Sequence, residues 1–285
     1  MGWKRDVATW LYRKNLLPGQ FIKVYVYPLM LRGKKNPYQS SRFFESYYKS
    51  VSAQGFSDRI TLAPDTHPLH SRFHYNATEN SIIKYFSRHP IREAPAVLDI
   101  GSGTGHWIDF WLTTFNASTV YGVDVSRTCA DALRTKYAHL ENVAIAEGDI
   151  SQSGFSRDRK FDVISAIGVV FHIVEDDLWL KALVNMRNML NDDGVIVVGG
   201  HFGWITQNIQ FHVTDDFDNL EQARNSLQNA YSARQVFFNK RVRSLRRWKA
   251  AAAKAGLQVQ QVINTPRYSG IAAPENNIMV LKKTA

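Results

Sequence analysis

The sequence lacks several features that would assign it to particular protein classes. It has a single cysteine, Cys129, among 285 residues, so an internal disulfide is excluded and we expect a reducing compartment, the cytoplasm. No run of about 18 apolar residues occurs, and such a run would be needed for a membrane-spanning helix. Charged residues interrupt the first 17 residues throughout, so these do not resemble the apolar core of a secretory signal.

The net charge of +10 is concentrated in two segments of the chain. Residues 1–50 contain ten Lys and Arg but only two acids, and residues 234–254 contain eight basic residues and no acid. Such segments suit an anionic surface or an anionic substrate. A solvated basic face explains them equally well, so charge alone does not decide the partner.

The first basic segment also carries apolar residues at helical spacing, namely Trp3, Val7, Trp10 and Leu11. Residues 1–35 therefore suit either an interfacial helix in peripheral contact with a membrane or a helix that packs on its own domain. We favour the packed helix. Both hypotheses predict a helical N-terminal cap over residues 1–94, facing substrate or membrane.

From residue 95 onward, short β-rich runs alternate with amphipathic helical runs. These runs lack polar alternation, which is typical of strands in a parallel sheet that helices cover on both faces. Two alternating runs near the end, LQVQQVI and NNIMVLKK, predict an antiparallel pair at the sheet edge. Residues 201–240 are polar and aromatic, and we expect them to be a cap insertion within a domain spanning 95–285.

Local signals predict where several elements begin and end. Ser126 precedes an amphipathic run and predicts a helix N-cap. The Asn-Asp-Asp-Gly stretch at 191–194 predicts a turn before a strand over 195–200. A helix is predicted over residues 241–256, ending at Gly256.

The stretch VLDIGSGTGHW, residues 97–107, places glycine at every second position between a predicted strand and a predicted helix. Bare backbone of this kind allows a ligand to approach closely. A P-loop is excluded because no Gly-Lys-Ser/Thr follows. The dinucleotide fingerprint requires glycine three places after Gly103, where His106 stands instead.

The pattern Asp99-x-Gly101-x-Gly103-x-Gly105 resembles motif I of the class I S-adenosylmethionine-dependent methyltransferases. The resemblance extends over residues 80–200 and more loosely over 241–282. It implies an α/β, Rossmann-like fold: a seven-stranded, mostly parallel sheet in the order 3-2-1-4-5-7-6, with helices on both faces. It also implies S-adenosylmethionine as the cofactor.

By this resemblance, Asp99 orients the loop and meets the cofactor's ammonium group. Asp124 accepts hydrogen bonds from the ribose hydroxyls, Asp149 binds the adenine amino group, and Ile150 covers the adenine ring. Two alternatives remain open, a helix-capping role for Asp124 and a turn role for Asp149. The implied cofactor-binding residues are Asp99, Gly101, Ser102, Gly103, Gly105, Asp124, Val125, Asp149, Ile150 and Ala166.

Two histidines are candidate catalytic bases, His172 and His201, because each follows a strand end beside the expected crevice. A hydroxyl acceptor gains from a base whose pKa lies near neutrality, which points to histidine. We favour His172, and Glu175 is a weaker candidate. The alternative, that each histidine only lines the pocket, remains open.

The cap contributes candidate substrate-binding residues, His74 and Tyr75, and the insertion contributes Trp204. His67, His70 and His74 have a spacing that would suit a metal on a helix face. Pro68 and the absence of an adjacent carboxylate pair argue against this, so we expect no metal.

Base-methylating enzymes that act on nucleic acids carry prolines after the fourth strand, where this chain has Ser165-Ala166-Ile167-Gly168. A nucleic-acid acceptor is therefore disfavoured. The sequence favours in-line O-methylation of a small-molecule, sugar or lipid-linked acceptor. The alternatives are a small-molecule N-methyltransferase and a non-catalytic protein of the same fold that binds anionic membrane or RNA.

Overall fold

The structure is a computed structural model, and it describes residues 39–52, 56, 68–152, 159–200, 202, 206–214, 235–265 and 277–284. Two helices, α1 (Ser40–Ser52) and α2 (Pro68–Phe86), precede the sheet. The elements that follow are β1 (Ala96–Ile100), α3 (His106–Thr114), β2 (Thr119–Asp124), α4 (Arg127–Lys136), β3 (Val143–Glu147), β4 (Phe161–Ile167), a 3₁₀ turn (Val170–His172), α5 (Asp176–Met189), β5 (Leu190–Gly200), β6 (Gln207–Thr214), β7 (Gln235–Val242), α6 (Leu245–Lys254), β8 (Leu257–Ile263) and β9 (Asn277–Lys283).

Seven of these strands form one sheet in the order β3-β2-β1-β4-β5-β9-β8. Strands β1 to β5 are parallel, and β9 lies antiparallel between β5 and β8. Because β6 and β7 pair separately as an antiparallel hairpin, the sheet strands counted along the chain have the predicted order 3-2-1-4-5-7-6. The predicted Rossmann-like fold is confirmed.

Alternation along the central strands divides the core between the two faces of the sheet. Val97, Val163 and Val195 pack in one cluster with residues of α2, α3 and α4. Their neighbours Leu98 and Ile164 pack in the other, with residues of α5 and α6. Both faces are therefore covered by helices, which explains why the strands read as continuous apolar runs.

Two element boundaries differ from the sequence predictions. The helix predicted over 241–256 begins at Leu245, because Arg241 and Val242 still belong to β7 and Ser244 caps the helix by accepting a hydrogen bond from the Arg247 N–H. The turn predicted at 191–194 lies inside β5. Pairing there passes from Phe161–Leu190 to Val163–Val195, so these four residues are an irregularity within a longer strand.

Helix α2, from the predicted cap, packs against the sheet domain. Ile82 and Phe86 are buried in the cluster that contains Trp111 of α3, and the rings of Phe86 and Trp111 meet edge to face at 6.0 Å. Part of the cap is thus a layer of the main core. Among the described helices, none combines the length and apolar character that crossing a membrane requires.

Candidate cofactor-binding and active site

The glycine loop connects β1 to α3 at the carboxyl end of the sheet. Gly101, Gly103 and Gly105 all have positive φ values, +70°, +54° and +88°, a region that residues with a Cβ rarely adopt. A Cβ on Gly101 would lie 2.3 Å from Val169 Cγ2, and one on Gly105 would lie 2.3 Å from the Tyr137 hydroxyl. Packing within the protein therefore requires glycine at two of the three positions, whatever ligand approaches the loop.

Asp99 lies near the carboxyl end of β1 and is fully buried. Its Oδ1 accepts a hydrogen bond of 2.6 Å from the Ser165 hydroxyl, which itself accepts one from the Trp111 indole N–H. Its Oδ2 is buried without a hydrogen-bond partner in the described part of the chain. Burial raises the pKa of Asp99 to about 7, although the hydrogen bond from Ser165 lowers it.

The unpaired oxygen of Asp99 tests whether the loop suits the implied cofactor. A buried carboxylate oxygen that lacks a donor is costly, and a cationic donor such as an ammonium group would relieve that cost. The residues present therefore fit the role predicted for Asp99. Ser102 contributes indirectly, because its hydroxyl donates to the Asp99 carbonyl and accepts from the Val123 N–H, holding the loop on the strand ends.

Asp124 ends β2 beside the glycine loop. Its Oδ2 accepts a hydrogen bond of 3.0 Å from the Gly103 N–H, and its Oδ1 accepts one of 3.0 Å from the Ser126 N–H. Asp124 is buried, and burial raises its pKa. Asp124 thus holds Ser126, the N-cap residue of α4, and it also holds the glycine loop through Gly103. Each carboxylate oxygen has a second lone pair for a ribose hydroxyl.

The ends of β2 and β3 are adjacent, because the Gly148 N–H donates to the Asp124 carbonyl. Asp149 Oδ1 accepts hydrogen bonds from the backbone N–H and the hydroxyl of Ser151, which is a turn role. Ile150 next to it is buried, and its carbonyl accepts from Asn185. The adenine role of Asp149 therefore stays a prediction, compatible with its remaining oxygen.

His172 ends the 3₁₀ turn that follows β4. Its ring meets Phe44 of α1 edge to face at 4.9 Å and Phe171 at 4.5 Å. Glu175, the weaker candidate, is the N-cap residue of α5, and its carbonyl accepts from the Trp179 N–H. The catalytic roles of His172 and Glu175 stay predictions, and Glu175 also has a structural position as the residue before α5.

The other predicted residues divide between the described and undescribed parts of the chain. Tyr75 is buried and stacks on His106 at 3.8 Å, directly beside the glycine loop, and His74 is its neighbour on α2. His201 and Trp204 lie outside the described residues, as do residues 1–35. No group of three potential metal ligands occurs among the residues whose placement is described.

Two carboxylates near the site were missed in the sequence. Glu79 of α2 lies 2.7 Å from His106 Nε2, just after the glycine loop, and Glu45 of α1 contacts Ser126 and Thr128 at the start of α4. These contacts join residues 27 to 83 positions apart. No local pattern could have indicated them, because each acid is an ordinary helical residue in its own segment.

Some basic residues of the second basic segment, 234–254, form ion pairs within the protein. Asp176 at the start of α5 receives hydrogen bonds of 2.8–2.9 Å from Arg241, Arg243 and Arg247. Burial alone would raise the pKa of Asp176, but the bond and charge of Arg243, with the other two arginines, lower it. Arg243 is buried over the ring of Trp179. These contacts attach β7 and the start of α6 to α5, and they use three of the eight basic residues in segment 234–254.

Comparison with known proteins agrees with this geometry. Residues 97–194 match the family model described as a methyltransferase domain. Demethylmenaquinone methyltransferase of Staphylococcus aureus (strain MRSA252) is 32% identical over 108 residues, which are 38% of this chain and 43% of that protein. The chain therefore spans less than half the length of the curated relatives that it matches.

Solved structures share the fold across most of the chain. The 1,6-didemethyltoxoflavin-N1-methyltransferase of Burkholderia thailandensis, solved with 1,6-didemethyltoxoflavin and S-adenosylhomocysteine, superposes with a TM-score of 0.55 at 16% identity, covering 88% of this chain and 94% of that one. Mitomycin 7-O-methyltransferase superposes with a TM-score of 0.52 at 18% identity, covering 85% and 60%. The predicted resemblance is thus confirmed as a methyltransferase-domain match over residues 97–194 and as a shared fold with solved methyltransferases.

Proposed function

We propose that this chain, whose residues 97–194 match a methyltransferase domain, is an S-adenosylmethionine-dependent methyltransferase. The observation that carries the proposal is the glycine loop with its two buried acids. Asp99, before the loop, has an unpaired carboxylate oxygen, and Asp124, at the end of β2, accepts a hydrogen bond from the Gly103 N–H. In open α/β sheets, ligands bind at this end of the strands.

The proposed cofactor contacts follow from these positions. Asp99 would hold the ammonium group, Asp124 the ribose hydroxyls, and Asp149 with Ile150 the adenine. The bound cofactor would supply an electrophilic methyl group on a sulfonium. The protein's task is then to hold the acceptor atom in line with that methyl and to exclude water, since proximity and orientation provide most of the rate.

The acceptor that we propose is a small molecule or a lipid-linked group with a hydroxyl as the methylated atom. His172 supports this proposal, because a partly exposed imidazole beside the crevice can take the proton that the hydroxyl loses. Known proteins of this fold include both O- and N-methyltransferases by name. An amine acceptor therefore remains the alternative, and the test must distinguish the two.

Replacing His172 tests the proposed base directly. We expect His172→Ala to lower kcat about 10²- to 10⁴-fold, as loss of a general base does, with little change in the Kd of S-adenosylhomocysteine. The fall in kcat at low pH that protonation of this base would cause should also disappear. His139→Ala, at an exposed position in the turn that follows α4, is the matched control. A kcat for His172→Ala within about twofold of wild type would show that His172 is not the base and only lines the pocket.

Transfer of a labelled methyl group tests the activity itself. Purified protein is incubated with S-[methyl-³H]adenosylmethionine and a panel of phenolic, sugar, amine and polyprenyl-linked acceptors. We expect label in the methyl ether of a hydroxyl acceptor, stable to the conditions that cleave methyl esters, and far less label with the Asp124→Ala variant at the same donor concentration. Label only in amine products would contradict O-methylation and support the alternative, an N-methyltransferase.

A further inference from the structure

Glu45 of α1 accepts an unusual number of hydrogen bonds for a surface helix residue. Its Oε2 accepts from the Ser126 hydroxyl at 2.7 Å and the Thr128 N–H at 3.1 Å, and its Oε1 accepts from the Thr128 hydroxyl at 2.9 Å. Burial raises the pKa of Glu45, but the hydrogen bonds from Ser126 and Thr128 outweigh it and lower the pKa to about 2. The carboxylate is thus firmly ionised at the positive end of α4.

Ser126, which donates to Glu45, also donates to Asp124, the proposed ribose-binding acid. Ser126 caps α4 by accepting from the Cys129 N–H, and its own N–H donates to Asp124 Oδ1. Cys129 in turn donates to the carbonyl of Gly103 in the glycine loop. A continuous set of hydrogen bonds therefore leads from α1 through Ser126 to both Asp124 and the loop.

The residues beside Glu45 on α1 contact the rest of the crevice. Phe44 meets the ring of His172, the candidate base, edge to face at 4.9 Å. Tyr48, one helical turn after Phe44, is buried in the core cluster that contains Tyr75 and Trp107. The pKa of Tyr48 is raised well above its usual value by burial and by the nearby charge of Asp124. Helix α1 thus contacts both Ser126, which neighbours the proposed ribose acid, and the candidate base His172.

We propose that Glu45 is a positioning residue that fixes α1 across the crevice, holding Asp124 in place through Ser126 and Phe44 against His172. This inference rests on the proposed function, and it adds a coupling between the cap and the donor site. Without the Glu45 carboxylate, Ser126 and Thr128 lose their shared acceptor, α1 loses its anchor, and Asp124 loses the fixed partner at its Oδ1. Donor binding weakens even though no donor-contacting residue has changed.

The experiment measures the Kd of S-adenosylhomocysteine by calorimetry for wild type, Glu45→Gln, Ser126→Ala and the double variant. We expect about tenfold weaker binding for Glu45→Gln, the scale of a lost charged hydrogen bond. The double variant should bind about as weakly as the weaker single variant, because both changes break one chain of contacts. Asp131→Asn is the matched control: it removes a carboxylate from the exposed face of α4, the helix that Glu45 contacts, and we expect binding within about twofold of wild type.

Thermal unfolding of each variant distinguishes positioning from simple loss of stability. A purely structural Glu45 would lower Tm and leave the Kd of the still folded protein unchanged, and that result overturns the proposal. Strictly additive effects of Glu45→Gln and Ser126→Ala overturn it as well. If wild type itself fails to bind, the proposed function falls and this role with it, whereas wild-type binding that Glu45→Gln leaves intact refutes only the positioning role.

Discussion

Asp124→Ala is expected to weaken binding of S-adenosylhomocysteine about 100-fold. Two ribose hydroxyls would donate to one carboxylate, and hydrogen bonds to a charged group contribute about 1.5–3 kcal/mol each. The variant also leaves the Gly103 N–H without its acceptor, so the glycine loop loses the contact that fixes it to β2. Isothermal titration of the purified variant measures the change.

Asp124→Asn provides the graded comparison for this prediction. The amide keeps one acceptor oxygen but has no charge, so we expect an intermediate Kd, about tenfold above wild type. A Kd for Asp124→Ala within about threefold of wild type would contradict the ribose role. It would leave Asp124 only as the residue that supports the Ser126 cap, the alternative that the sequence left open.

Asp99→Asn should stabilise the free protein while weakening its binding of the donor. Burial raises the pKa of Asp99 from 3.8 to about 7. A buried group with a raised pKa contributes its stability fully below its unfolded-state value, and that stability is lost as the pH rises through the folded value. Wild type should therefore lose stability between about pH 4 and pH 7, and asparagine at this position removes the loss.

Urea unfolding at pH 5 and pH 8 measures this second effect. Relative to wild type, we expect the free energy of unfolding of Asp99→Asn to rise by about 2–3 kcal/mol between the two pH values, because about two pH units separate pH 5 from the folded pKa near 7. S-adenosylhomocysteine binding should fall about tenfold, because an amide has no charge and its oxygen binds an ammonium more weakly than a carboxylate does. Parallel pH dependences of the two proteins would show that Asp99 is ionised without penalty, and the argument from its unpaired oxygen would fail.

The parts of the site that the sequence revealed are those encoded locally. Asp99, Gly101 and Gly105 lie within a single strand–loop–helix unit, and Asp124 ends the next strand, so spacing along the chain was sufficient to find them. The apolar runs of β1 to β5 likewise indicated a covered parallel sheet, because strands buried on both faces lose their polar alternation. The strand order followed from the family resemblance.

The parts that were missed depend on tertiary contacts. Glu45 and Glu79 act on Ser126 and His106, and nothing in their own helices marks them as different from solvated acids. The β6–β7 hairpin was not predicted either, because its polar and aromatic residues resemble a loop insertion. The Asn-Asp-Asp-Gly stretch at 191–194 has the composition of a turn, yet the surrounding pairs of β4 and β5 keep it within a strand.

The basic segment at 234–254 shows how charge misleads without structure. Its charge suited an anionic partner or a solvated basic face equally, but Arg241, Arg243 and Arg247 converge on Asp176, and Arg243 is buried. Removing one partner of such a network is strongly destabilising, whereas the intact pairs indicate little about external ligands. The surplus of charge in a sequence is therefore a weak guide until its internal partners are known.

Calorimetric titration of the purified wild-type protein with S-adenosylhomocysteine, and separately with NAD⁺, tests the central claim most directly. The unpaired oxygen of Asp99, the grip of Asp124 on Gly103 and His106 in place of the third dinucleotide glycine predict saturable one-to-one binding of S-adenosylhomocysteine and no heat with NAD⁺. Absence of S-adenosylhomocysteine binding, or preference for NAD⁺, would contradict the claim.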